Sequence, residues 1–129
     1  MKISLTEVQI NELSNLAKRS LPNESCAFLL GKNGKVTEIL PMHNVDESAI
    51  SFTIEPKAVL QAYDLAESKK LNVIGIFHSH PAIPAPSSVD IRFMEINPVV
   101  WLIYSTSKRE FKAFLYDNEV IEVEVKITA

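Results

Sequence analysis

Two histidines and one aspartate within a short segment have the residue types and the spacing of a metal-binding site. His78 and His80 directly follow a mostly apolar run, residues 72–77, whose β-branched and aromatic side chains predict a buried strand. Side chains two positions apart on a strand point to the same side, so both imidazoles can face one point. Asp90 follows after a proline-rich loop of nine residues. Two imidazoles, one carboxylate and an open position for water are typical of a catalytic zinc site, so the segment predicts a metal-dependent hydrolase.

The end of this loop also has a structural interpretation. Ser87 and Asp90 have the spacing of a capping box, in which the serine caps the start of a helix and the acid bonds back to it. This role is compatible with metal binding, because a ligand held at a helix start is well oriented. The prolines of the loop restrict the unfolded chain, which lowers the entropy cost of fixing Asp90 opposite the histidines. A third imidazole ligand would have to be His43, the only other histidine, and a carboxylate is the simpler choice.

Three other classes of metal-dependent hydrolase do not fit this sequence. Metallo-β-lactamase-like enzymes need the pattern HxHxDH, whereas a proline, an alanine and an isoleucine follow His80. Amidohydrolase barrels place an HxH pair on the first strand of about 250 residues, and this chain has 129. Zinc-dependent deaminases need a Pro-Cys-x-x-Cys ligand pair, and the chain has a single cysteine.

Composition predicts a small cytoplasmic protein with one domain, residues 1–129. A chain of 129 residues can bury one sizeable core. No apolar run approaches the ~20 residues that cross a bilayer, and the first residues lack the apolar core of a signal peptide. A single cysteine fits a reducing compartment, and a net charge of -3 gives no support for nucleic-acid binding. We therefore expect neither a membrane nor a nucleic acid as a partner.

The elements that must position these residues can be predicted from periodicity and turn residues. A helix should run from about residue 6 to residue 20, with Thr6 as its N-cap and an apolar face formed by Val8, Leu13, Leu16 and Ala17. A second helix should begin at Pro56 and end near residue 70, and a third should cover residues 88–95. Strands are predicted at residues 25–30, 36–41, 50–54, 72–77, 99–104, 111–116 and 120–127. Together these elements predict an α/β fold, a mixed sheet flanked by helices in a single domain.

The motif as a whole resembles the JAMM motif of the MPN-domain metalloproteases. It reads Glu24 … His78-Ser79-His80-Pro81 … Ser87-x-x-Asp90, and the similarity covers nearly the whole chain. Residues 21–31 resemble the acid-bearing strand of that family, and the order of helices and strands also matches. The loop before Asp90 is one residue shorter than is usual in the family, and Ala27 stands where many members have glycine. The resemblance implies the MPN fold, a sandwich of the cytidine-deaminase-like type.

The resemblance also implies a role for each residue of the motif. His78, His80 and Asp90 would bind one zinc ion per chain, with water as the fourth ligand. Glu24 would act as general base and acid, and Ser87 would help to stabilise the oxyanion. Nothing but the resemblance singles out Glu24, because an acid just before a strand is usually a solvated turn residue.

The implied reaction is hydrolysis of a peptide or isopeptide bond. The compact single-domain members of the family suggest a bond after the C-terminal glycine of a ubiquitin-like modifier or a sulfur-carrier protein. The alternative is a non-catalytic MPN scaffold that works by dimerising, and the sequence leaves open whether this chain forms a homodimer. Cys26 and Trp101 are expected in the core, Ser79 in a structural hydrogen bond and His43 in a loop.

Overall fold

Three helices divide the seven strands of the chain into groups of one, two, one and three. The computed structural model describes residues 1–129. In chain order its elements are β1 (Lys2–Thr6), α1 (Glu7–Ser20), β2 (Cys26–Lys32), β3 (Lys35–Met42), α2 (Pro56–Ser68), β4 (Asn72–His80), α3 (Ser88–Ile96), β5 (Val100–Ser105), β6 (Glu110–Tyr116) and β7 (Val120–Thr128). All of these elements except β1 correspond to predicted ones.

The seven strands form one mixed sheet that closes on itself. Their order is β1-β3-β2-β4-β5-β6-β7, and β7 pairs back to β1. The pairs β1–β7, β1–β3 and β4–β5 are parallel, and the other pairs are antiparallel. The predicted mixed sheet is therefore confirmed, and its closure is a feature that the sequence pattern did not indicate.

Helices cover both faces of this sheet, so apolar side chains are buried on each side. Successive residues of β5 alternate between the two faces: Leu102 belongs to the cluster that includes Leu13 of α1, whereas Trp101 belongs to the cluster that includes Ala62 of α2 and Met94 of α3. All six residues of β5 are buried, as its near-continuous apolar sequence predicts. None of the helices is long and apolar enough to cross a membrane.

Helix α1 begins as its sequence predicts. The Thr6 side chain accepts a hydrogen bond from the Gln9 amide at 3.1 Å, and the Gln9 side chain accepts one from the Thr6 amide at 2.9 Å. Leu13 and Ala17 are buried, but Val8 is 67% exposed, so its predicted place in the apolar face was wrong. The reason is geometric, because five residues carry Val8 about 140° around the helix from Leu13.

The sheet closes at a narrow seam between β1 and β3. A single registered pair, Ser4 with Lys35, joins these two strands. Next to it, the Ser4 amide donates to the Gly34 carbonyl at 2.8 Å. Gly34 has a φ of +75°, and a Cβ atom there would lie 2.8 Å from the Lys2 carbonyl oxygen. Glycine is therefore required at this turn for both its backbone conformation and its close approach to β1.

The predicted strand at residues 50–54 was wrong. Ile50, Phe52 and Ile54 alternate with polar residues as in a strand, but this segment pairs with no strand of the sheet. Phe52 and Ile54 pack against the core cluster beneath α2. The Thr53 amide bonds to the Asn44 side chain rather than to a neighbouring strand. Ile50 is 83% exposed, so only Phe52 and Ile54 of the three alternating apolar residues pack inwards from this irregular loop.

Candidate metal centre and its surroundings

The two histidines of the motif occupy the end of β4 and face the same point. His78 is fully buried and His80 is 8% exposed. Both belong to the sheet face that carries Ile76, because positions two apart on a strand share a face. Their Nε2 atoms lie 2.9 Å apart. The convergence of the imidazoles that the HxH spacing predicts is thus present.

Asp90 comes to the same point from the first turn of α3. Its Oδ2 atom lies 3.2 Å from Nε2 of His78 and 3.1 Å from Nε2 of His80. The Ser87 amide donates to the same oxygen at 2.8 Å, and the Asp90 amide donates to the Ser87 hydroxyl at 3.1 Å. The predicted capping box is therefore confirmed, and it orients the Asp90 carboxylate towards the histidines.

The loop between His80 and Asp90 is fastened to the end of β5. The Thr106 amide donates to the His80 carbonyl at 2.9 Å. The buried Ser105 hydroxyl donates to the Ala82 carbonyl. These bonds fix the start of the loop, while the helix cap fixes its end. The loop is thus long enough for Asp90 to contact both imidazoles, although it is one residue shorter than the usual family loop.

Glu24 approaches from β2, the neighbouring strand. Cys26, the first residue of β2, is paired with His78, so Glu24 lies just beyond the end of the ladder. Its Oε2 atom is 3.7 Å from Nε2 of His80, and the residue is 4% exposed. The residue that follows Glu24 is also fixed: the Ser25 amide donates to the Ser79 hydroxyl at 2.9 Å. The structural hydrogen bond predicted for Ser79 is confirmed.

The surroundings shift the pKa values of Glu24 and Asp90 in opposite directions. Burial raises the pKa of Glu24 to about 7, opposed by the nearby His80 and assisted by the charge of Asp90. Burial also favours a raised pKa for Asp90, but hydrogen bonds from His78 and His80 outweigh it and hold that pKa well below its usual range. At neutral pH Asp90 is therefore an anion, whereas Glu24 can either accept or release a proton.

The two imidazoles are also unlike each other. Burial lowers the pKa of His78, which keeps its ring neutral at neutral pH. Burial acts in the same direction on His80, but the hydrogen bond with Asp90 and the charge of Glu24 raise its pKa above the ordinary value. A neutral imidazole has a lone pair available for a metal ion, so His78 is in the form that metal binding requires.

The spacing of the donor atoms fits a small divalent metal ion. The three distances among Nε2 of His78, Nε2 of His80 and Oδ2 of Asp90 are 2.9, 3.1 and 3.2 Å. Tetrahedral coordination with bonds of about 2.0–2.1 Å needs donor atoms about 3.3 Å apart. Glu24 is a competing carboxylate, because its ligand atom and those of the two histidines all lie within 4.8 Å of one another. Asp90 is the closer one, and it contacts both imidazoles rather than one.

Aromatic packing, which the sequence did not indicate, holds the His78 ring in place. Phe52 stacks on it with centroids 4.9 Å apart, and Trp101 meets it edge-on at 5.6 Å. Its Nδ1 atom is buried without a hydrogen-bond partner, whereas metal-binding histidines usually donate from this atom to an acceptor. Packing thus replaces the usual hydrogen bond in orienting the ring. A single sequence carries no signal for this, since both aromatic residues fit an ordinary core.

Two further residues take the structural places that the sequence predicts. The side chain of His43 is 73% exposed and lies 3.9 Å from Glu47, away from the buried cluster. Cys26 is fully buried. Burial, assisted by the charge of Glu24, raises the pKa of the Cys26 thiol to about 12. Neither residue contributes to the cluster formed by the motif.

Comparison with known proteins identifies the family. The model of a family described as prokaryotic homologs of the JAB domain matches residues 6–116. The chain belongs to this family. The resemblance of its sequence to MPN-domain proteins with a JAMM motif is therefore confirmed.

Relatives of this JAB-domain protein include a desampylase, a protease and a peptidase. A desampylase of Pyrococcus furiosus is 38% identical over 107 residues, which cover 81% of this chain and 76% of the relative. A probable TtuB-protein conjugate cleaving protease of Thermus thermophilus is 34% identical over 76 residues, which cover 57% of this chain and 51% of the relative. A CysO-cysteine peptidase of Mycobacterium tuberculosis is 25% identical over 125 residues, which cover 92% of this chain and 86% of the relative. These names agree with the enzyme class that the sequence predicts.

Solved structures share the fold of this JAB-domain protein. The solution structure of a protein from Desulfitobacterium hafniense has a TM-score of 0.85 and 33% identity, and the match covers 98% of this chain and 92% of that chain. A JAB1/MPN domain protein from Archaeoglobus fulgidus has a TM-score of 0.62 and 22% identity over 98% of this chain and 99% of that chain. The predicted fold class is confirmed.

Proposed function

We propose that this protein is a zinc metallopeptidase that hydrolyses a peptide or isopeptide bond. The observation that carries the proposal is the convergence of two imidazole nitrogens and one carboxylate oxygen within 3.2 Å of one another. Two histidines and a carboxylate form a ligand set that catalytic zinc sites use. The names of the relatives, which describe peptidases and a conjugate-cleaving protease, support the same reaction class.

His78, His80 and Asp90 would hold one zinc ion, and Glu24 would remain free for proton transfer. Asp90 suits the ligand role because its oxygen contacts both imidazoles and its pKa is held low. Glu24 is 3.7 Å from only one of them, and its pKa of about 7 suits a group that gains and loses a proton in each cycle. The contrast between the two carboxyl groups supports this division of roles.

Proton transfer and stabilisation of the oxyanion would be carried out by side chains of the protein. A zinc ion held here would supply a Lewis acid, which lowers the pKa of water from 15.7 to about 7. Glu24 would accept a proton from the attacking water and deliver it to the leaving amine. The Ser87 hydroxyl accepts a bond from the Asp90 amide, so its own hydrogen can be donated to the negative charge that develops on the carbonyl oxygen.

The proposed substrate is a ubiquitin-like or sulfur-carrier protein, cleaved after its C-terminal glycine. Support comes from relatives whose names refer to a protein conjugate and to a CysO-cysteine. Two exposed apolar side chains lie close to Asp90 along the chain: Ile83, 58% exposed, in the loop before α3, and Val89, 44% exposed, next to Asp90 in α3. Exposed apolar side chains at these positions could contact the extended tail of a protein substrate.

Cleavage of fusion proteins tests the proposal. The zinc-loaded protein is incubated with ubiquitin-like and sulfur-carrier proteins of its own genome, each extended beyond its C-terminal glycine. We expect cleavage directly after that glycine, detected by mass spectrometry. Glu24→Gln should retain zinc and lose at least ~10²-fold in rate, because it cannot accept the proton. The matched control is Glu47→Gln, which changes an acid with a 69% exposed side chain outside the cluster and should leave the rate unchanged.

Two results would contradict the proposal. If the wild-type protein binds zinc but cleaves none of these fusions, the substrate class is wrong, and a non-catalytic scaffold becomes the better interpretation. If Glu24→Gln cleaves as fast as the wild type, the role given to Glu24 is wrong even though the protein is an enzyme.

A further inference from the structure

A buried asparagine next to the site uses its entire hydrogen-bonding capacity. Asn44 is 7% exposed and lies two residues beyond the end of β3. Its Nδ2 atom donates to the carbonyls of Glu24 and Ser51, both at 3.0 Å. Its Oδ1 atom accepts from the amides of Asp46 and Thr53, both at 3.1 Å. Two donated and two accepted bonds are all that one amide side chain can form.

One of these bonds is to the backbone of Glu24, which the sheet itself does not hold. Glu24 lies before β2, which begins at Cys26. Its carbonyl accepts from Asn44, and its amide donates to the Ser48 carbonyl at 2.7 Å. Both backbone polar groups of Glu24 are therefore bound by the segment from Asn44 to Thr53. The backbone of Glu24 is therefore held by this irregular segment, while the next residue, Ser25, is held by Ser79 of β4.

The same segment also supports the histidine side of the site. Phe52, whose ring stacks on His78 at 4.9 Å, lies between Ser51 and Thr53, which are two of the four residues that Asn44 binds. Asn44 thereby joins the two ends of the segment to each other and to Glu24. No other side chain of the segment forms a hydrogen bond to Glu24.

We propose that Asn44 is a positioning residue that fixes Glu24 opposite the histidines. The inference rests on the proposed function, because it takes Glu24 to be the proton-transferring group. Reactions that depend on oriented groups lose rate steeply with displacement, about 10²-fold for an error of about 1 Å. Without the Asn44 bond, the Glu24 backbone loses one of its two anchors, and its carboxyl group is no longer held at its distance of 3.7 Å from His80.

The test compares Asn44→Asp with a matched change in the same segment. Asn44→Asp keeps the size of the side chain and the acceptor for Asp46 and Thr53, but it removes the donors to the Glu24 and Ser51 carbonyls. We expect kcat to fall ~10–10²-fold, with KM and bound zinc unchanged. The control is Asp46→Ala, which removes the bonds to the Ser51 and Thr53 hydroxyls at 3.0 and 2.9 Å without touching Glu24. It should keep the wild-type kcat.

A double-mutant cycle separates positioning from general damage. If Asn44 acts through Glu24, then Asn44→Asp should change the residual rate of Glu24→Gln by less than about twofold, because the group it positions is already inactive. An equal fall of rate in both backgrounds would overturn the proposal, since the effect would then not pass through Glu24. Asn44→Ala, which introduces no buried charge, serves as the second variant in case Asn44→Asp does not fold.

Amide hydrogen exchange gives a readout that needs no substrate. The Glu24 amide donates to the Ser48 carbonyl, which belongs to the segment that Asn44 joins to Glu24. This amide should exchange at least ~10-fold faster in Asn44→Asp than in the wild type, and at the wild-type rate in Asp46→Ala. Unchanged exchange at Glu24 in both Asn44 variants would overturn the proposal whatever the activity. Faster exchange in a protein that cleaves no substrate would support the positioning by Asn44 and reject the proposed reaction instead.

Discussion

At the scale of single residues, burial acts differently on groups that lie only a few ångströms apart. Glu24 and Asp90 are both almost fully buried, yet their pKa values move in opposite directions. The difference arises from partners, because Asp90 contacts two imidazoles and a backbone amide, whereas Glu24 has one more distant imidazole. Two carboxyl groups with separated pKa values can take separate roles in one reaction.

Burial of Cys26, the single cysteine, leads to a prediction about its reactivity. With a pKa of about 12 and no exposed surface, the Cys26 thiol is neutral and inaccessible at pH 8. We expect no reaction with iodoacetamide at pH 8 in the folded protein and full reaction in denaturant, measured by mass spectrometry. Rapid labelling of the folded protein would mean that β2 opens at its start, next to Glu24.

How far the site could be predicted differs from residue to residue. His78, His80 and Asp90 follow from ligand types and strand spacing, which are properties of adjacent sequence. Glu24 lies more than fifty residues upstream, and only the family resemblance identified it. Asn44 and Phe52 had no signal, because their roles depend on long-range contacts that a single sequence does not record.

At the scale of elements, the first turn of α3 shapes both the fold and the candidate site. We expect Ser87→Ala to lower the free energy of unfolding by about 0.5–2 kcal/mol, the usual effect of losing an N-cap side chain. Ser87→Thr keeps the capping oxygen and the hydroxyl donor, so it should retain stability. Thermal and urea unfolding would measure both. The control is Ser88→Ala, at the next residue and outside the capping box; an equal loss of stability in this variant would contradict the prediction.

The predictable elements are those whose signals are local. The helix caps at Thr6 and Ser87 and the turn at Gly34 follow from residue types at fixed spacing. Strand β1 was missed because its five residues, the last of which is the helix cap Thr6, have no turn on either side to define them. The segment around Phe52 resembles a strand in sequence because apolar and polar residues alternate there, but alternation does not report which backbone groups pair.

At the scale of the whole molecule, a bound metal ion should stabilise the fold. A ligand that binds only the native state at 100 times its Kd raises the free energy of unfolding by about 2.7 kcal/mol. We expect zinc to raise the Tm of the wild type and of His43→Ala, whose side chain is exposed. His80→Ala should lose most of this rise. Calorimetry with and without zinc measures the difference, and an undiminished rise in His80→Ala would reject the proposed ligand set.

The seam between β1 and β3 gives the closed sheet a preferred place to open. One registered pair joins these strands, whereas five join β1 to β7. Local opening takes place where the fewest bonds must break, so β1 can part from β3 while it stays attached to β7. We therefore expect local opening to begin at this seam, giving an open, seven-stranded sheet with β1 and β3 at its edges. Because neither β2 nor β4 takes part in that seam, opening there should leave the arrangement of Glu24 and the histidines unchanged.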